Sequence, residues 1–94
     1  MKIFATIRFL KKDNDRLYVS GVRPQLKVKN LFTSCSVWGE SVDQVFQPDV
    51  EYRVRLEPLH LEQIKEDVLV GMVVRLNEGS RLIAEGTVLE IDDK

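Results

Sequence analysis

The sequence contains one histidine, His60, and one cysteine, Cys35. A structural zinc site takes about four Cys or His ligands, so a single chain of this composition cannot build one. His60-Leu61-Glu62 matches the opening of a zinc deaminase signature, but the paired cysteines of its second half are missing. A Cys35–His60 nucleophilic dyad would need a surrounding motif that neither residue has. Cys35 reads instead as a small apolar core residue, and His60 as a surface residue at a helix start. The glycines are scattered, and no G-x-x-x-x-G-K-S/T phosphate loop is present. These absences lead to the expectation of a protein that binds rather than catalyses, with no metal, cofactor or nucleotide.

Binding chemistry has more material. Residues 1–30 carry eight basic side chains (Lys2, Arg8, Lys11, Lys12, Arg16, Arg23, Lys27 and Lys29) against two acidic ones. Residues 31–94 reverse this, with six basic against thirteen acidic, for a net charge of -1. Such a split can mark a basic patch for an anionic partner. Arg16, Lys27 and Lys29 favour RNA; the overall charge and the lack of a stacking aromatic cluster favour protein.

Strands must position these residues, because period-two alternation dominates the chain. Ile3, Ala5, Ile7 and Phe9 alternate with Lys2, Phe4, Thr6 and Arg8, a half-buried strand that ends at the turn-forming Asp13-Asn14-Asp15. A short strand is expected over Arg16–Ser20, and Gly21 and Pro24 punctuate the next connection. Leu26 and Val28 alternate with Lys27 and Lys29, giving a strand with a wet, basic side. Thr33–Trp38 is a weaker strand. Residues 40–49 read as a loop with Val45 and Phe46 tucked in. In Val50–Leu56, Val50, Tyr52, Val54 and Leu56 face one way and Glu51, Arg53 and Arg55 the other. Leu61, Ile64 and Val68 are at helical spacing, so His60–Asp67 is expected to form a short helix that packs to survive. Met72, Val74 and Leu76 begin a strand that turns at Asn77-Glu78-Gly79-Ser80, with Gly79 at positive φ. Arg81–Ile91 returns, with Gly86 at a kink or close approach; Asp92-Asp93-Lys94 is a frayed tail. The expected core unites Ile3, Ile7, Phe9, Leu26, Val28, Val50, Tyr52, Val54, Leu56, Met72, Val74 and Leu82.

About six short strands in 94 residues make one all-β domain over 1–94, a closed antiparallel barrel or a sandwich. Closure matters, since open edges rich in Val and Ile pair with other chains. With 44% hydrophobic and 31% charged residues, the chain fits neither a disordered nor a membrane protein. Its longest apolar run, Val68 to Val74, is far short of the roughly 20 residues a spanning helix needs. Arg8, Lys11 and Lys12 break any signal-peptide pattern, and a single cysteine suits a reducing compartment. A cytoplasmic location is expected. The oligomeric state stays open, with Trp38 or Phe46 as candidate dimer anchors.

Two segments carry a family resemblance. Gly21-Val22-Arg23-Pro24-Gln25-Leu26 resembles the G-Y-R-P-Q-F motif of the third, C-terminal barrel domain of elongation factor Tu. The stretch from Glu78 to Val88, E-G-S-R-L-I-A-E-G-T-V, is similar to that domain's E-G-G-R-T-V-G-A-G-V-V hairpin. The resemblance implies a closed barrel of six antiparallel strands. In that family the domain holds the backbone of the tRNA T-stem and contacts the GTPase domain and the exchange factor. The resemblance carries over the tRNA contacts to Arg16, Gln25, Ser34, Glu78 and Gly79, with Lys27 and Lys29 extending the same face. Arg, Gln, a hydroxyl and a backbone N–H are ordinary phosphate and sugar donors. The chain departs from the family at Lys27 and Val28, where an aromatic pair stands; at Glu57, where a basic residue stands; at Ser80; and by an insert of about seven residues at His60–Asp67. The function this implies is a binding module for tRNA-like RNA or a translation-associated protein. The alternative, suggested by the insert, is a decoy, immunity or regulatory protein occupying a partner of the translation machinery.

Overall fold

The computed structural model describes residues 2–11 and 17–92. Its strands are β1 (Lys2–Phe9), β2 (Tyr18–Val19), β3 (Gln25–Val28), β4 (Leu31–Trp38), β5 (Val45–Phe46), β6 (Glu51–Pro58), β7 (Val73–Glu78) and β8 (Arg81–Asp92). Six of them close an antiparallel barrel in the order β1-β6-β4-β3-β7-β8, and β2 pairs with β5 in a separate two-stranded sheet. The first and last strands pair with each other, so the barrel leaves no open edge.

Alternation builds the core. Ile3, Ala5, Ile7 and Phe9 of β1 are all buried, and so are Leu26 and Val28 of β3, Val54 and Leu56 of β6, and Val74 and Leu76 of β7. Both ends are plugged. At the end of β1 and the start of β6, Phe9 stacks on Tyr18 at 5.2 Å and on Phe46 at 4.9 Å, and Tyr52 meets Phe46 edge-on. Beyond the other end of β6, Ile64 and Val68 are buried in the same core.

Several expectations change. Residues 60–67 pack inward as the spacing of Ile64 and Val68 requires, but as a 3₁₀ turn over Leu61–Gln63 with no side-chain cap, not as a helix. So short a segment gains too little from its own hydrogen bonds, and its buried side chains hold it. Val50 lies outside the core, and Tyr52 is only half-buried. The backbone turns through a left-handed Asp49 (φ 63) just before β6 begins, so alternation starts one residue later. Leu82 is half-buried while Ile83 and Ala84 are both buried. The register explains this: Asn77 pairs with Leu82 and Leu76 with Ala84, so Ile83 is the extra residue of a β-bulge and resets the alternation. Val45 and Phe46 form a strand, with only Phe46 buried, which removes Phe46 as a dimer anchor. Asp92 is no frayed tail, because it pairs with Lys2. The expected close approach at Gly86 is real: a Cβ there would overlap the carbonyl oxygen of Thr6 on β1. Gly79 turns at φ 59, as its hairpin requires.

Candidate functional site

Strand β3 lies between β4 and β7, and its pairing with β7 joins segments far apart in sequence. Leu26 faces inward with Thr33 and Leu76 as its cross-strand partners, so the residues on either side of it face out. Ser34, Gln25 and Asn77 form one outward row across β4, β3 and β7. Phe32, Lys27 and Arg75 form the next. Neighbouring strands are about 4.8 Å apart, so each row spans about 10 Å. Phe32 is 47% exposed, and the Lys27 ammonium stands 5.5 Å from its ring centroid.

Charge is distributed unevenly around this belt. Arg75 pairs in register with Glu85, Glu85 with Arg8, and Arg8 with Glu51. The Glu85 carboxylate lies 3.8 Å from Arg8, and on the same side of the barrel Arg53 lies 3.6 Å from Glu90. Among the described residues, Lys27 and Arg75 have no carboxylate at ion-pair distance. The β1–β6–β8 side therefore balances its charges, while the β3–β7 side presents two neighbouring cations beside an aromatic ring.

The expected site residues divide accordingly. Gln25, Ser34 and Lys27 come together on this face. Glu78, the last residue of β7, and Gly79, in the β7–β8 turn, sit just beyond its polar row, and the Glu78 carboxylate accepts a hydrogen bond from the buried Tyr18 hydroxyl. Lys29 does not share the outward side of β3. The strand ends at Val28, Lys29 adopts a left-handed turn (φ 55), and its ammonium lies 3.0 Å from Asp67 of the 60–67 segment. Arg16 lies outside the described residues. Phe32, Arg75 and Asn77 were missed; each sits at an outward position of its strand, and only the β4–β3–β7 order reveals them as neighbours.

The nucleophile candidates behave as core and surface. Cys35 is buried, and burial pushes its thiol up to about 12; the Glu57 charge adds to this, and a hydrogen bond from the Glu57 backbone opposes it. His60 is exposed, with its backbone N–H donating to Thr33 Oγ1. Glu57 is paired with Arg55 at 2.9 Å. Among the described residues, no three His, Cys, Asp or Glu side chains cluster to hold a metal ion, and no helix is long and apolar enough to cross a membrane. No family model matches the chain, and no curated protein matches it.

Proposed function

We propose that the barrel is a non-catalytic binding module that takes RNA by its backbone on the outer face of β4, β3 and β7, in the manner implied by the likeness to the third domain of elongation factor Tu. The observation that carries this reading is the juxtaposition of Lys27 and Arg75, without carboxylate partners among the described residues, beside exposed Phe32. Two cations neutralise phosphates, and the ring offers a base a stacking surface worth about 1–3 kcal/mol. Ser34, Gln25 and Asn77 supply neutral hydrogen bonds to phosphate or sugar, which position a strand without reading its sequence. A cytoplasmic setting, where RNA partners are abundant, suits the single buried Cys35.

Fluorescence anisotropy with labelled bulk tRNA at several salt concentrations tests this. With roughly two to four phosphates neutralised, log affinity should fall with log salt at a slope of about -2 to -4. The double variant Lys27→Ala/Arg75→Ala should flatten the slope by about 2. Phe32→Ala should weaken binding about equally at all salt concentrations. Absence of binding at low salt rejects the reading.

A second reading, a regulator that binds a protein of the translation machinery, draws on the insert. Leu59, Leu69 and Val70 are exposed on either side of it, while Ile64 and Val68 anchor it. Capture from a native lysate with and without ribonuclease separates the two, since only an RNA-mediated partner is lost on digestion.

A further inference from the structure

An open groove of about 470 Å³ continues the β4–β3–β7 face beyond its polar row, lined by Arg23, Glu57, Pro58, Leu59 and residues 34–36 of β4. Ser34 belongs to both. The β3–β4 register carries on past the start of β3. The Cys35 N–H donates to the Pro24 carbonyl at 2.9 Å, the Val37 N–H donates to the Val22 carbonyl at 2.9 Å, and Val22 pairs with Val37. Arg23 therefore stands opposite Ser36, and Ser36 pairs on its other side with Glu57 of β6. Pro24, Cys35 and Leu56 are buried, so Arg23, Ser36 and Glu57 form a third outward row, two residues and about 7 Å along from Gln25 and Ser34. The Leu59 N–H donates to the Ser34 carbonyl at 2.7 Å, which brings exposed Leu59 to the end of the polar row.

The two sides of this groove differ in chemistry. On one side, Lys27, Gln25 and Arg23 alternate outward along a single strand line with buried Leu26 and Pro24 between them. Among the described residues Arg23, like Lys27, has no carboxylate at ion-pair distance. Donors to phosphate thus follow one another every about 7 Å, close to the step between phosphates of an extended strand. On the other side stands a carboxylate. The Glu57 side chain is 50% exposed; Arg55 holds its Oε2 at 2.9 Å, and Oε1 has no partner among the described residues. A carboxylate accepts and cannot donate, so it repels a phosphate and binds N–H groups. Pro58 and Leu59, the latter 70% exposed, give an apolar surface beside it. A nucleotide has the same asymmetry, with its phosphate on one flank and a flat base with an N–H edge on the other. Guanine alone among the RNA bases carries two adjacent donors, N1–H and N2–H, on its Watson–Crick edge, and so alone meets both oxygens of a carboxylate.

We propose that this groove takes an unstacked guanine of the bound RNA. The RNA backbone follows Lys27, Gln25 and Arg23, and the guanine lies against Pro58 and Leu59 and donates N1–H and N2–H to the Glu57 carboxylate, which Arg55 holds in place. The proposal rests on the RNA reading of the β4–β3–β7 face and adds to it a base preference, which backbone contacts cannot give.

Fluorescence anisotropy of the full chain with labelled single-stranded UUUUU, UUGUU, UUAUU and UUCUU RNA at low salt reads the preference, and a single guanine keeps the strands from associating with each other. UUGUU should bind about five- to tenfold more tightly than the other three, the lower end of what a two-point contact with a base edge provides, since the groove is open. Glu57→Gln keeps the shape of the side chain but removes one acceptor and the charge, at an exposed position outside the core. It should erase the preference while UUUUU binds at least as tightly as before. Arg23→Ala should weaken all four alike and lower the salt slope by about 1. Equal binding of the four oligomers, or a preference that survives Glu57→Gln, overturns the proposal and leaves the RNA reading standing. No binding of any oligomer at low salt overturns both.

Discussion

Cys35 shows how a single residue's chemistry is set by its place. Its thiol is buried against the barrel core and raised from an ordinary value near 9 to about 12. At neutral pH it is neither ionised nor accessible, so a disulfide reagent such as dithionitrobenzoate should react slowly with the folded protein and quickly in urea. The same shift gives a pH dependence. Between pH 9 and about 12 the unfolded chain has released this proton while the folded chain retains it, so unfolding releases a proton and stability falls as pH rises. Below pH 9 the contribution is fully present. Unfolding free energies from urea titrations across pH 8–11 should decline by at most about 1.4 kcal/mol per unit from this group, and Cys35→Ala should flatten that decline. Lys27 and Lys29 make the complementary point. They look equivalent in sequence, yet one backbone turn gives Lys27 to an open face and Lys29 to Asp67. Alternation suggested both; only the turn geometry separates them.

Among the elements, those that bury one side of a long alternating run were legible, and those fixed by distant partners were not. β1 and β6 follow their periodicity because every second residue enters the core. The Ile83 bulge was hidden, since Leu82, Ile83 and Ala84 are all apolar and nothing local says which one is extra. Phe32 and Arg75 were hidden for a related reason: β3 meets β7 across 45 or more intervening residues, and cross-barrel order is not a local property. Gly86 was legible as a close approach, and the overlap of any Cβ with the Thr6 carbonyl makes it testable. Gly86→Ala should force β8 away from β1 and cost more than about 2 kcal/mol in urea unfolding. Ile64→Ala tests the 60–67 segment. If that segment is part of the core, as its burial indicates, the cost should be about 2–5 kcal/mol, far more than for a surface loop.

For the molecule as a whole, closure of the barrel ties its first strand to its last. The β1–β8 seam has a further consequence. Lys2 and Asp92 are directly paired, which places their Cα atoms about 5 Å apart. The chain therefore enters and leaves the barrel at one point, and its order of connection is separable from its shape. A circular permutant joined between residues 92 and 2 by a short glycine-rich linker, and opened at Asn30 in the β3–β4 turn, should recover the same circular dichroism spectrum and cooperative unfolding. By the same geometry the barrel can be spliced into an exposed loop of another protein without pulling that loop apart, a cassette whose two cut ends lie one strand spacing from each other.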